Sequence, residues 1–398
     1  MITHQDLVAA RARVAPVLRA TPLDRSDSLT RLAGRPMLLK PEHRQRTGSF
    51  KIRGAYNHIG QLPTGRPVVA ASAGNHAQGV ALAARLTGRR ATIFMPVNAA
   101  IPKVEATRSY GAEVRLVGHV VDDAIVSAKQ YACGTGAAYV PPFDDLAVIA
   151  GQGTLGLELA EEAPDAEVVV VPVGGGGLIA GVATALAHTR PSVRVVGVEA
   201  AGAPTLTMAL AAGRVVALER VSTMADGIAV RTVSDLTLVH ARTYVDDVVT
   251  VDEEEISQAM LLLVERAKAV VEPSGAAALA AVLAGRIPGG GPVVSVLSGG
   301  NVDPLLLTKL IDHGLSAAGR YLVLRIVMAD RPGALAGLTA AVADLNLNVL
   351  DVEHHRSGFG LGLDQVEVAL TLETRNAFHH REIIEALAGA GYSAQKLP

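Results

Sequence analysis

Lys51 lies in the run TGSFKIRGA (residues 47–55), directly after Ser49 and Phe50 and near what reads as the start of a helix. An amine forms carbonyl adducts readily when burial or neighbouring positive charge lowers its pKa, and a helix start and an apolar neighbour both push that way. Alone, Lys51 would pass for one of the many solvated surface lysines. A second run, VVVVPVGGGGLIAG, carries an apolar strand into Gly174, Gly175, Gly176 and Gly177 and then into a helix from Leu178. Bare glycines let backbone N–H groups crowd around a phosphate, and the helix dipole adds favourable charge there. The run is not a Walker loop, since no Gly-Lys-Ser/Thr follows, nor a GxGxxG fingerprint. A plain turn is the simpler alternative, but successive glycines carry an entropic cost that a turn does not require. Two polar strand ends complete the set, SAGNHAQG (72–79) and SGGN (298–301). Ser72, Asn75 and His76 offer donors to a carboxylate or a ring oxygen, and Ser298 offers a hydroxyl. Either segment by itself reads as a capped turn. A lysine, a phosphate cradle and a polar cage together describe a phosphorylated aldehyde cofactor held covalently.

The elements that must position these groups follow from the pattern between them. Val- and Ile-rich runs (PVVAAS, ATIFMP, AEVRLV, EVVVVPV, VRVVGVE, VVSVLS) alternate with Ala/Leu-rich helical stretches, which predicts an α/β protein with mostly parallel sheets. The strands run into Gly, Ser or Asn, at the carboxyl ends where such sheets bind ligands. Asp252 and Glu255 have capping-box spacing, and RIPGGGP (286–292) reads as a surface turn. After Leu315 the run LSAAGR reads as a linker. Strand, helix, strand, strand, helix and a final short strand then follow, the βαββαβ order of a ferredoxin-like domain. The pairs His354/His355 and His379/His380 in this tail are expected to be solvated or partner-facing, with adjacent side chains on a strand pointing to opposite faces.

Composition bounds the rest. The 398 residues suffice for two or three domains, and 49% hydrophobic residues with 3% aromatic and no Trp require a core of Ala, Val, Leu and Ile. A net charge of -2 without a Lys/Arg-rich run gives no footprint for nucleic acid. No apolar run approaches the ~18 residues of a membrane span, and the mixed N-terminus predicts no secretion. The single Cys133 permits no intrachain disulfide, fits a reducing cytoplasm and is expected to be an inert buried thiol.

The motifs GSFKIRGA, SAGNHAQG, AGQGT, GGGGL, ADG and SGGN occur in this order over roughly residues 1–315. On these, the chain resembles the threonine/serine dehydratases (threonine ammonia-lyases) of the tryptophan-synthase-β, or fold type II, pyridoxal phosphate family. Its tail, with DRPGAL as a turn, resembles an ACT domain. The resemblance implies a catalytic domain at 1–315, with a small subdomain at about 73–149 inserted in the large one, and an ACT regulatory domain at 320–398. It implies that Lys51 bonds the cofactor aldehyde, Phe50 flanks the ring and Asn75 bonds the phenolic oxygen. Gly174, Gly175, Gly176, Gly177 and Leu178 hold the phosphate, and Ser298 faces the pyridine nitrogen. Ser72, Ala73, Gly74, Asn75 and His76 cradle the substrate carboxylate. Lys51 and Ser298 are the catalytic pair.

The implied reaction is that of a carbon–nitrogen lyase. L-Threonine or L-serine displaces Lys51, the freed amine removes the Cα proton, and the β-hydroxyl leaves with a proton from the cofactor phosphate. The released enamine hydrolyses to 2-oxobutanoate or pyruvate and ammonia. Such a step opens isoleucine biosynthesis or serves threonine catabolism. A hydroxyl at Ser298 leaves the ring nitrogen neutral, which suits elimination rather than transamination. Related serine racemases carry a second serine where Ala73 stands, and alanine cannot return a proton. Some relatives bind a cation through residues matching Glu199, the Ala203 carbonyl and an acid where Thr205 stands; no metal is assigned. The ACT-like tail implies an amino-acid effector, isoleucine or valine, at Asp330, Arg331, Pro332, Gly333, Ala334 and Leu335. It also implies a homodimer or homotetramer, and one of Asn346 and Asn348 is expected to end the helix that precedes them. The rivals are serine racemase, hydroxyaspartate dehydratase or β-replacement on the same scaffold, and a noncatalytic amino-acid sensor. A nicotinamide enzyme lacks its fingerprint.

Overall fold

Valine- and alanine-rich runs have no polar face to turn to water, so they form strands buried on both sides. The computed structural model describes residues 1–317, 319–356 and 361–397. Its strands are β1 Asp24–Arg25, β2 Met37–Lys40, β3 Val68–Ala71, β4 Ala91–Met95, β5 Glu113–Leu116, β6 Ala138–Tyr139 and β7 Val168–Pro172. They continue as β8 Arg194–Ala200, β9 Asp247–Val251, β10 Val293–Val296, β11 Tyr321–Ala329, β12 Val349–His355, β13 Gln365–Glu373 and β14 Ala394–Lys396. The chain divides into two units, Met1–Pro304 and Leu305–Pro398. The boundary falls at the first residue of the helix Pro304–Ala317, whereas the sequence suggests a linker after it; Ala318 of that linker lies outside the described residues.

The first unit holds two sheets. The larger has the order β1-β2-β10-β7-β8-β9, parallel throughout except for the short edge strand β1. The smaller has the order β5-β4-β3-β6 and is wholly parallel. Every residue of β3, β4, β7 and β10 is buried, as sheets covered by helices on both faces require. The second unit is an antiparallel sheet, β12-β13-β11-β14, with Leu322, Leu324, Ile326, Val368, Leu370 and Leu372 facing helices at 334–344 and 377–389. This is the ferredoxin-like order.

With few aromatic side chains, the first unit fills space by bringing backbones together. The helices Leu146–Glu162 and Gly177–Thr189 meet at Gly153 and Gly181. A Cβ on Gly181 would lie 2.5 Å from the Gly153 nitrogen and 2.9 Å from its Cα, and one on Gly153 would lie 2.9 Å from the Gly181 carbonyl oxygen.

Two local expectations change. Cys133 is exposed, because it falls on the outer side of the helix Val121–Thr135. His379 and His380 lie on the helix Ala377–Gly389, where the run HHREIIEALAGAG reads as helical, and only one of them is exposed to any extent. His380 turns inward, is buried, and shares Nε2 between Thr374 Oγ1 at 3.1 Å and the Gly319 carbonyl at 3.0 Å. His354 and His355 are exposed on β12. Asn346 ends its helix with φ 55°, a left-handed position that asparagine tolerates, while Asn348 donates to Glu373. Asp252 and Glu255 form the reciprocal cap of the helix Glu253–Leu262.

Gly181→Ala should therefore force two backbones apart, a cost of about 1–3 kcal/mol. The thermal transition of the first unit should fall by about 2–4 °C per kcal/mol, read by calorimetry; an unchanged transition would contradict this contact.

Candidate functional site

Strands from both sheets of the first unit lead into the site. β3 delivers residues 72–76, β7 delivers the glycines at 174–177, and β10 delivers Ser298. Lys51 begins the helix Lys51–Ile59, and that helix is anchored next to the strand ends by its own backbone: Phe50 N donates to the Ser298 carbonyl at 3.1 Å, and Ser49 bridges Gly299. A Cβ on Gly79 would lie 3.3 Å from Lys51 Cβ, so the helices starting at Lys51 and Asn75 are in close contact.

The Lys51 helix is also clamped from behind. Arg53, fully buried, donates to both oxygens of Glu42 at 2.8 and 2.9 Å and to both of Glu158 at 2.6 and 2.9 Å. Gln152 Oε1 accepts from Gly54 N, and a Cβ on Gly151 would lie 2.6 Å from the Arg53 carbonyl oxygen. The AGQGT motif is thus the seat of the Lys51 helix.

Lys51 Nζ donates to the Pro142 carbonyl at 3.2 Å and lies 5.1 Å from the centre of the Phe50 ring. Loss of water around the amine lowers its pKa from 10.5 to about 8, against the opposing pull of the Glu272 carboxyl. The segment holding Pro142 leads directly to the glycines: a Cβ on Gly175 would collide with the Phe143 ring, and one on Gly177 would lie 2.8 Å from Phe143 Cβ. A Cβ on Gly174 would lie 2.9 Å from Ile228 Cα, and Gly176 has φ 86°, a left-handed cap on the helix Gly177–Thr189. The four glycines are each required, and they open a cradle of backbone N–H groups at a helix start, which fits a phosphate.

Asn75 begins the helix Asn75–Leu86. Its Nδ2 donates to Glu272 Oε1 at 2.5 Å, and its Oδ1 accepts from Asn301 Nδ2 at 2.7 Å. His76 is buried and commits Nε2 to the Val140 carbonyl at 2.9 Å; loss of water lowers its pKa to about 3, with Lys51 the next contribution, so the ring is neutral. What His76 offers a carboxylate is its backbone N–H in the first turn of the helix. Ser72 Oγ accepts from Gly74 N, and Ala73 sits between them in the same turn. Ser298 is buried, as are the hydroxyls of Ser49 and Ser274, which have no hydrogen-bond partner among the described residues. Ser49 and Ser298 lie on the two segments whose backbones meet beside Lys51, and together with the lysine and the glycine cradle the set fits a phosphorylated aromatic aldehyde.

Sequence reasoning passed over Glu272. It is buried, and burial followed by the repulsion of Asp226 raises its pKa to about 7. Its signal was a glutamate directly before a helix-opening Pro273, where a short capping side chain is usual. Lys103 and Asp226 also form an ion pair that no local motif announces.

A family model described as pyridoxal-phosphate dependent enzyme matches residues 14–299. The chain belongs to the pyridoxal-phosphate dependent enzyme family. A second model, the ACT domain, matches residues 322–389. An L-threonine ammonia-lyase of Thermotoga maritima is 46% identical, with 99% of each chain covered, and one of Geobacter sulfurreducens is 45% identical, with 98% of each covered. A solved threonine deaminase, of T.th., superposes with a TM-score of 0.73 at 44% identity, over 76% of this chain and 99% of that one.

Glu199 does not stand open to a cation. Its Oε1 accepts from Leu206 N at 2.6 Å and Thr205 Oγ1 at 3.2 Å, and its Oε2 from Thr207 N and Oγ1, so it holds the start of the helix Thr205–Ala212. Residues 330–335 lie in the second unit, where Asp330 pairs with Arg356 at 3.4 Å and Gly333, φ 85°, starts the helix Ala334–Asp344.

Because Lys51 must be neutral to attack an aldehyde, the rate at which pyridoxal phosphate attaches to the cofactor-free protein should rise with pH to a midpoint near 8. Stopped-flow absorbance from about pH 6 to about pH 10.5 reads this directly; a midpoint above about 10 would mean a solvated lysine.

Proposed function

We propose that this member of the pyridoxal-phosphate dependent family is an L-threonine ammonia-lyase, converting L-threonine to 2-oxobutanoate and ammonia, with L-serine giving pyruvate. The observation that carries the reading is Lys51, desolvated beside a glycine cradle and a carboxylate-sized turn, in a chain whose near-full-length relatives are named L-threonine ammonia-lyases.

When bound, pyridoxal phosphate supplies an electron sink for the pair released at Cα. The protein supplies the rest. The N–H groups of the turn from Ser72 to His76 hold the substrate carboxylate at a helix start, which fixes the Cα–H bond relative to Lys51. Lys51, with a pKa near 8, takes the proton from Cα and is then acid enough to give it up near neutral pH. Ser298 offers the ring nitrogen a hydroxyl rather than a carboxylate, so it does not hold that nitrogen protonated. Phe50 lies beneath the lysine amine and excludes water. Ala73 can return no proton to Cα from the opposite face, which favours loss of the β-hydroxyl over racemisation. The enamine that leaves takes up water and releases ammonia, balancing the water lost in the elimination.

The ACT unit is read as a regulatory module for an aliphatic amino acid, isoleucine or valine, held by residues 330–335. The enzyme then acts in the cytoplasm as a homodimer or homotetramer at the head of isoleucine synthesis or in threonine breakdown.

Purified enzyme should release 2-oxobutanoate from threonine faster than it turns over serine or hydroxyaspartate. Lys51→Ala should lower kcat by on the order of 10⁴ or more, beyond what loss of proton transfer alone costs, because covalent attachment goes too. Isoleucine or valine should shift the threonine saturation curve. Racemised serine as the main product would defeat the reading.

A further inference from the structure

Glu272 is buried, and its one side-chain hydrogen bond among the described residues is to Asn75. A buried carboxyl with a single neutral partner is costly to keep, which calls for a reason beyond packing. Asp226, Lys103 and Lys51 are the charged groups whose fields reach it.

The partners fix which way the Asn75 amide points. The Thr47 carbonyl can only accept, so the atom facing it at 2.7 Å is Asn301 Nδ2. The same Nδ2 donates to Asn75 at 2.7 Å, so the Asn75 atom there is its oxygen, and its nitrogen faces Glu272 at 2.5 Å. Flipping either amide would set donor against donor or acceptor against acceptor. One N–H of Asn75 is consumed by Glu272, and the other is left to give.

The backbone is bent to build this chain. Thr47 has φ 63° and Gly48 has φ 71°. A β-branched residue is an outlier there, and the strain is the cost of presenting the Thr47 carbonyl to Asn301. Two glycines keep the space clear. A Cβ on Gly48 would collide with Asn301, and one on Gly299 would collide with Glu272 and lie 2.9 Å from Asn75 Nδ2.

We propose that Glu272 and Asn301 are positioning residues, holding the Asn75 amide from its two ends so that its free N–H serves the ring hydroxyl of the cofactor. This rests on reading Asn75 as the partner of that oxygen. Acceptance at its oxygen and donation to a carboxyl polarise the amide as well as orient it.

The test uses the full-length enzyme loaded with pyridoxal phosphate, with two readouts that do not depend on turnover. One is the pH midpoint of the visible band of the lysine-bound cofactor, and the other is cofactor affinity by equilibrium dialysis. Asn75→Ala should move the midpoint and weaken affinity. Glu272→Ala and Asn301→Ala should each weaken affinity by about 2- to 10-fold, as loss of one oriented hydrogen bond implies, and shift the midpoint by about 0.5 unit or more. Glu272→Gln keeps an acceptor for the Asn75 N–H and should restore most of the affinity. In an Asn75→Ala background neither Ala substitution should add to the loss.

If Asn75→Ala shifts both readouts while Glu272→Ala and Asn301→Ala match the parent, the positioning proposal is overturned and the Asn75 reading survives. If Glu272→Gln is as damaging as Glu272→Ala, charge rather than orientation governs and the proposal is likewise overturned. If Asn75→Ala itself changes nothing, the underlying reading of Asn75 fails. Should Glu272→Ala not fold, by circular dichroism, Asn301→Ala decides the matter, since Asn301 is only partly buried.

Discussion

The buried ion cluster around Arg53 is the constraint on which the site depends. Arg53 and Glu42 are both fully buried, and Glu158 completes the guanidinium's partners. Lys40, at the end of β2, is also fully buried and reaches Glu158 and Glu162. One network therefore ties together a strand of the large sheet, the turn that leads to Lys51, the Lys51 helix and the helix at 146–162. Removing one partner of a buried pair costs about 3–5 kcal/mol, because the other charge is left without compensation. Its value here is register. Arg53 stands two residues after Lys51, on the same helical turn, so a forked contact that admits one geometry also fixes where the amine emerges.

From that fixed point the chemistry follows by contact. The amine emerges against the Pro142 carbonyl and beside Phe50, out of bulk water, and loses basicity. Phe143, the residue after Pro142, fills the space over Gly175 and Gly177, so the glycine cradle and the lysine are spaced by a single short segment. Ser298 arrives on a strand parallel to the one that brings the glycines, and the turn from Ser72 to His76 arrives from the smaller sheet. On the function proposed above, two residue types bear on the outcome: Ala73, which carries no acid in the turn after β3, and Ser298, which offers a hydroxyl rather than a carboxylate after β10. Under that proposal elimination is the outcome that these two side chains leave least opposed.

The parts legible in the sequence were those whose chemistry is local. A lysine after a small-residue turn, four glycines between a strand and a helix, and a polar turn after a strand each need a particular residue type within a few positions, so the run shows them. The alternation of apolar runs showed the parallel sheets for the same reason. Contacts made across the fold left no such trace. Glu272 and Asn75 are separated by 197 positions, and a glutamate at the cap of a proline-opened helix, though unusual, does not say which residue it meets. Asn301 was in plain view within SGGN, but its role depends on the strained Thr47 carbonyl, which no spacing announces. Short elements were equally silent: β1 and β6 are two residues each, below any periodicity. Cys133 and His380 were misjudged because a helical face decides exposure, and one residue of rotation separates inside from outside.

The proposed function turns on Lys51 as the point of covalent attachment. Loading the enzyme with pyridoxal phosphate, reducing it with borohydride and mapping the modified peptide by mass spectrometry tests this most directly. One reduced adduct on Lys51, per chain, is the predicted result. An adduct on Lys40, Lys103 or any other lysine, or no adduct at all, would contradict it.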